Sequence, residues 1–397
     1  MAKLATIQLS ANLKEKLIQG HPWVYRNHVP FHIQLPPGSW VRVQCGNWTG
    51  YGLWDAKGPI AIRLFGAALP TAQWFKEKVK SAWQLRSSLR DQGCTAYRWL
   101  FGEGDGLPGI TVDLYGSFAV VQTYMEGAIV ILDWLMDALQ TTTPLTGILL
   151  RTQHKSREAP DPDSENGVSN VEQLWGEPAP PELVVKEHGL LFQVNLYAGQ
   201  KTGLFLDHRE NRRFLEDWSR EQVVLNCFAY TGAFSLYALR GGAKQVVSVD
   251  IGKGLAAATA VNLALNHLPQ DRHTFMTQDC FQFLNTYAEQ GKQVDLLILD
   301  PPSFAKSKQS RHAAQRAYIK LNALALRCVK PGGFLATASC TSQVSVEAFK
   351  EAIAAAGAST GCRVQIIHEA GQPLDHPVPA HFPEGRYLKF VVGRVQP

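Results

Sequence analysis

The sequence predicts an α/β protein whose working part is a doubly wound, Rossmann-like sheet. A small β-rich module and a central α+β segment precede that sheet. Three observations carry this. Residues 223–250, VVLNCFAYTGAFSLYALRGGAKQVVSVD, read as strand, glycine turn, helix, strand and acid, one βαβ half of such a sheet. In VDLLILDPPSFAKSK, residues 294–308, an unbroken apolar run precedes Asp300, as in a central strand buried on both faces. The chain then ends in two strands, RVQIIHEAG and YLKFVVGRV, that close the sheet as an antiparallel hairpin.

The composition sets outer bounds. A chain of 397 residues has room for two or three domains and a large core. With 45% hydrophobic and 18% charged residues it has the balance of an ordinary globular protein. No apolar run approaches the length of a membrane span, and MAKLATIQLSANLKEK lacks a signal-peptide core. The seven cysteines are scattered without a C-x-x-C pair or a zinc-spaced histidine. Reduced thiols, a cytoplasmic location and no bound metal are therefore expected. A net charge of +5 permits nucleic-acid binding without requiring it. No coiled coil or repeat fixes an oligomeric state, and a homodimer is left open.

Residues 1–68 form the first predicted domain. LPPG makes a turn, and WVRVQ, GYGLW and IAIRLF read as strands. His21-Pro22-Trp23-Val24, Pro37-Gly38, Gly50-Tyr51-Gly52 and Ile62-Arg63-Leu64 resemble a PUA domain, a small RNA-binding barrel. A β cap that only shields the rest is the alternative. Residues 69–185 form the second domain. One helix is expected over 71–93, capped by Thr71 and stopped by Gly93. Two strands follow the glycine turns at 104–109, then the amphipathic helix GAIVILDWLMDALQ and the strand LTGILLR. Glu103, Asp105 and Asp113 read as turn and strand-end acids. Residues 152–182, rich in proline, acids and amides, read as a mobile loop. The third domain, 186–397, opens within a hairpin at His188-Gly189. A helix from near Asp207 then carries Arg209, Arg212 and Arg213, either as a solvated face or as phosphate contacts.

The turn after VVLN identifies the cofactor class. A dinucleotide fingerprint needs G-x-G-x-x-G so that backbone can close on a pyrophosphate. Here Gly232 is the single glycine, and Asn226, Phe228 and Tyr230 fill the turn. Such a turn suits an adenosine cofactor without phosphate, such as S-adenosylmethionine. Asp250, at the tip of the second strand, can accept both ribose hydroxyls. Asp279, at the end of a third strand, can accept the adenine amino group or cap the helix FQFLNTYAEQ. Pro301-Pro302 stiffens the turn after Asp300, with Phe304 and the charges Lys306, Lys308, Arg311 and Arg316 beyond it. Cys340 ends the strand FLATASC beside Asp300. A thiolate there could add to C6 of cytosine and make C5 nucleophilic. Its alternative role is that of a small buried hydrophobe.

These motifs together resemble one family over nearly the whole chain. They are GDGLPGITVDLYG, GQKTGLFLDHRENRR, LNCFAYTGAFSLYAL, VSVD, LDPPSFAKSK, SCT and HPVPAHFPEGRYLK. The family is that of the bacterial PUA-containing, S-adenosylmethionine-dependent methyltransferases that make 5-methylcytosine in large-subunit (23S) ribosomal RNA. The resemblance implies a seven-stranded, mixed class I methyltransferase sheet, an RNA partner, Cys340 as nucleophile and Asp300 as its partner. Ser303 stands where two-cysteine relatives carry a cysteine, which implies a one-cysteine mechanism. Cofactor contacts are expected from Gln200, Thr202, Phe205, Asp207, Arg209, Asn226, Phe228, Tyr230, Thr231, Gly232, Asp250, Asp279, Asp300 and Pro301. A base-nitrogen or amine methyltransferase, and a non-catalytic RNA-binding assembly factor, are the competing readings.

Overall fold

The computed structural model describes residues 4–152, 170–199, 201–304 and 310–397. The chain divides into two compact units. The first holds Met1–Val185, Val194–Leu206 and Leu374–Gly385; the second holds Lys186–Gln193, Asp207–Pro373 and Arg386–Pro397.

The first unit begins with β1 (Ala5–Gln8), α1 (Lys14–Ile18), β2 (Trp23–Tyr25), β3 (Trp40–Cys45), β4 (Trp48–Trp54) and β5 (Ile60–Gly66). These strands form one sheet in the order β1-β3-β4-β5-β2. Alternation in β3 turns Val41, Val43 and Cys45 inward. Then come α2 (Ala72–Leu85), α3 (Ser87–Asp91), β6 (Ala96–Phe101), β7 (Ile110–Tyr115) and β8 (Phe118–Thr123). After them lie α4 (Leu132–Thr142), β9 (Gly147–Thr152) and β10 (Asn170–Gly176). This second sheet is ordered β10-β9-β8-β7-β6. The two sheets share a core: Leu53 and Phe65 of the first lie in one buried cluster with Phe75, Trp99, Val112 and Leu135.

Several local expectations are corrected here. Thr71 does cap α2, accepting from Trp74 N at 3.2 Å, but the helix expected over 71–93 breaks at Arg86. The Arg86 guanidinium is fully buried and forks onto both oxygens of Asp105 at 2.7 Å. Asp105 is therefore an ion-pair partner, not a solvated turn acid. Asp113 sits within β7, 1% exposed, gripped by Arg98 at 2.7 and 2.9 Å. Glu103 accepts the Trp23 indole N–H at 2.7 Å. The helix expected over 127–140 is a 3-10 turn up to Ile131 and α-helical only from Leu132. Gly127 is pressed against Gly38 backbone, where a Cβ would sit 2.2 Å from the Gly38 nitrogen. Residues 170–176, read as loop, form a strand antiparallel to β9. Their polar composition concealed a segment needed to satisfy the β9 edge. The rest of that loop reading, residues 153–169, lies outside the described residues.

β11 (Leu183–Glu187) and β12 (Leu190–Val194) form the expected hairpin. His188 and Gly189 take the left-handed conformation at its tip, φ 45° and 86°. The second unit then runs α5 (Arg209–Asp217), β13 (Val223–Cys227), α6 (Ala233–Arg240), β14 (Gln245–Asp250), α7 (Leu255–Leu265), β15 (His273–Thr277) and α8 (Cys280–Glu289). It continues with β16 (Val294–Leu299), α9 (Arg311–Arg327), β17 (Val329–Cys340), α10 (Val346–Thr360), β18 (Arg363–Ala370) and β19 (Leu388–Gln396). The seven strands are ordered β15-β14-β13-β16-β17-β19-β18. All pairings are parallel except those of β19, which is antiparallel to both neighbours. The strand order reverses beside β13, so β13, β14 and β16 present their carboxyl ends where such sheets hold ligands.

Candidate active site

The turn leaving β13 is held in costly backbone. Phe228 and Tyr230 are left-handed, with φ 61° and 48°. Non-glycine residues in that region are strained by roughly 1–3 kcal/mol each, and such strain gathers at functional sites. Gly232 follows at φ 79° and starts α6; a Cβ there would lie 2.5 Å from Thr259 Cγ2. The surroundings dictate the turn. Phe228 N donates to Cys280 Sγ at 3.2 Å, and Ala229 N to the Val249 carbonyl at 3.1 Å. Asp250 takes Tyr230 N on one oxygen at 2.9 Å and Gly252 N on the other at 3.0 Å. The acid thus ties the turn to the tip of β14.

Behind the turn runs a chain of buried polar groups. Asn226 Nδ2 donates to Ser235 Oγ at 2.9 Å, Ser235 meets Ser248 at 2.7 Å, and Ser248 meets His273 Nε2 at 2.8 Å. Burial pulls the His273 imidazole down to about 4, so it is neutral at ordinary pH. Asn226 Oδ1 is buried with no hydrogen-bond donor among the described residues. Asp279 caps α8, accepting from Gln282 N at 3.0 Å. The Thr231 carbonyl accepts from Asn262 at 3.2 Å.

The ends of β16 and β17 build a second wall. Pairing of Leu299 with Thr337 sets Asp300-Pro301 beside Cys340. Cys340 Sγ lies 3.7 Å from the Pro301 carbonyl oxygen. Asp300 Oδ1 is 3.2 Å from Nε2 of the buried His208, whose ring packs edge-on against Phe234 and Phe390. Tyr318 of α9 is buried against Phe304 and Phe349, and burial pushes its phenol up to about 12. Asp207 Oδ2 accepts the Tyr387 hydroxyl at 2.7 Å. Lys389 was missed in the sequence reading. It is 4% exposed and donates to the carbonyls of Thr341 and, at 3.0 Å, Tyr387.

Thr202 and Phe205 belong to the first unit. The Thr202 hydroxyl is buried there, donating to Asp113 at 2.6 Å and meeting the Tyr115 hydroxyl at 2.8 Å, so it is spent on an internal network. The Lys201 ammonium stands 4.3 Å over the Phe205 ring. Arg209 and Arg212 are buried; Arg212 grips Glu187 at 2.7–2.9 Å. That removes Arg212 from the expected phosphate contacts, while Arg213 remains exposed. Gln200, Lys306 and Lys308 lie outside the described residues.

This sheet order, with its acid-tipped glycine turn, is that of a class I S-adenosylmethionine-dependent methyltransferase. Residues 134–365 match the family described as S-adenosylmethionine-dependent methyltransferase, and residues 7–66 match a PUA-like domain. The chain belongs to this methyltransferase family, in the branch that carries an N-terminal PUA-like domain, and its cofactor is S-adenosylmethionine. Ribosomal RNA large subunit methyltransferase I of Shewanella frigidimarina is 35% identical, over 98% of this chain and 99% of that one. The protein of that name from Aeromonas hydrophila is 34% identical, over 99% and 100%. SMU.776, a structure solved with SAH, shares the fold: TM-score 0.86, 23% identity, 98% of this chain and 100% of that one. A structure described as a SAM-dependent methyltransferase from Streptococcus mutans superposes with TM-score 0.85, at 22% identity over the same shares. No helix among the described residues is long and apolar enough to cross a membrane.

Proposed function

We propose that this protein methylates C5 of a cytosine in large-subunit ribosomal RNA, in the cytoplasm, through a covalent adduct on Cys340. The observation that carries the reading is the setting of Cys340. Five cysteines are buried, whereas Cys340 is half-exposed at the carboxyl end of β17, beside the Asp300-Pro301 turn. Cys362 is also half-exposed, but it precedes β18, at the opposite end of its strand. The names of the relatives support ribosomal RNA as substrate.

The residues of the second unit fit the cofactor. Each Asp250 oxygen takes one backbone N–H and keeps lone-pair capacity for a ribose hydroxyl. Asn226 Oδ1 awaits a donor. Asp207, Arg209, Phe228, Tyr230, Thr231, Gly232, Asp279, Asp300 and Pro301 complete the proposed set. When bound, S-adenosylmethionine supplies an electrophilic methyl group.

The Cys340 thiolate adds to C6 of the cytosine, and the ring's electrons shift to make C5 nucleophilic. Asp300 holds the amino edge and stabilises the adduct. Once C5 is methylated, its proton leaves to a base, and that electron pair expels the Cys340 thiolate and restores the ring. A target base within a helix is first unstacked. The test is transfer of labelled methyl to unmodified ribosomal RNA, free and in subunits, followed by nucleoside analysis. Label in 5-methylcytidine is expected; label in adenosine or guanosine would replace this reading with base-nitrogen or amine methylation. Cys340→Ala should lower turnover by at least about a thousandfold, the scale of losing a nucleophile, with cofactor affinity unchanged by calorimetry. Full activity in that variant would exclude the adduct.

A further inference from the structure

Lys389 carries a charge that its surroundings do not neutralise. It lies in the inner strand β19, directly opposite Ser339 of β17. Its stem runs to the end of the sheet, where Nζ donates to the Thr341 carbonyl, one peptide beyond Cys340, and to the Tyr387 carbonyl. These partners are neutral. Among the described residues no carboxylate lies within ion-pair distance of Nζ. A buried ammonium without a counter-charge is strongly unfavourable.

The neighbouring charged and titratable groups are otherwise occupied. Asp207 accepts from Tyr387, and Asp300 lies against His208. On β18, Glu369 is paired with Lys350, while His368 is stacked on Phe214 and its pKa is lowered by burial. Tyr318, across from Cys340, is held in its neutral form. The group left to balance Lys389 is the Cys340 sulfur, one peptide before the Thr341 carbonyl that Nζ holds.

We propose that Lys389 is a positioning residue that holds Cys340 as a thiolate in the free enzyme. Cys340 faces Leu388 across the ladder while Lys389 faces Ser339, so the two leave opposite faces of the sheet. The long lysine stem brings Nζ to the strand end, where it holds the Thr341 carbonyl next to Cys340. A thiolate there is formed before RNA arrives, and no base is needed to take its proton during attack. This inference rests on the reading of Cys340 as nucleophile, and its test does not depend on turnover.

The experiment is alkylation of the full-length protein with iodoacetamide from pH 5 to 10, following the Cys340 peptide by mass spectrometry. In wild-type protein the midpoint should fall at least one pH unit below the ordinary thiol value of about 8.5. In Lys389→Met it should rise to about 8.5 or higher, with at least a tenfold slower rate at pH 7. Lys389→Arg, which keeps the charge, should stay near wild type. An unshifted midpoint in folded Lys389→Met overturns the proposal. Should that variant not fold, a wild-type midpoint at or above about 8.5 overturns it instead. A lowered midpoint together with an active Cys340→Ala would keep the ion pair and exclude the nucleophile, so the two ideas fail separately.

Discussion

Lys389 shows how one buried side chain links stability to chemistry. Burial holds its ammonium down to about 8, against 10.5 for an exposed lysine. Between those values the unfolded chain binds more protons than the folded one, so this group makes stability rise with pH across that window. Below pH 8 the penalty of burying the charge is fully present. Relative to Lys389→Met, wild-type protein should gain up to about 3 kcal/mol between pH 8 and 10.5. Urea midpoints of both proteins across that range check this, and parallel profiles would contradict it. The residue was legible in principle: in YLKFVVGRV a lysine stands directly before the apolar run FVV of a strand. The placement of Asp250 and Cys340 at strand ends and of Gly232 at the start of α6 could be read from the sequence. The burial of Thr202 could not, because it depends on Asp113, a residue far away in sequence.

At the scale of elements, α5 shows where reading stops. Arg209 and Arg212 are three residues apart and share the inward face, whereas Arg213 is turned out. The charges alone looked like phosphate ligands; what redirects Arg212 is Glu187, 0% exposed on β11. That carboxylate also takes the Tyr237 hydroxyl of α6 at 3.0 Å. One acid therefore fastens α5 and α6 to the strand. Glu187→Ala would strand a buried guanidinium and should cost about 3–5 kcal/mol in denaturant unfolding. A loss below about 1 kcal/mol would mean that water reaches the pair. The break at Arg86 and strand β10 were hidden for the same reason, since long-range partners override local pattern. The βαβ core was legible because the apolar runs 223–225 and 246–247 flank a glycine turn and a helix.

At the scale of the molecule, the PUA-like sheet cannot be removed cleanly, because Leu53 and Phe65 are part of the core around the second sheet. Its role is better tested by charge removal. Arg42 is exposed on β3, and if that face follows RNA phosphates, Arg42→Ala should reduce the salt slope of RNA binding by about one. An unchanged slope would leave the sheet as a shield. The order of the large sheet has another consequence. β19 follows every other strand of that sheet in sequence, yet it lies inside, between β17 and β18. As the chain is made, at about 5–20 residues per second, β17 and β18 emerge with open edges and stay unjoined until β19 arrives. The growing polypeptide is then most exposed to mispairing. Lys389 arrives with that strand, so its ammonium is buried and set beside Cys340 only when the last strand closes both edges.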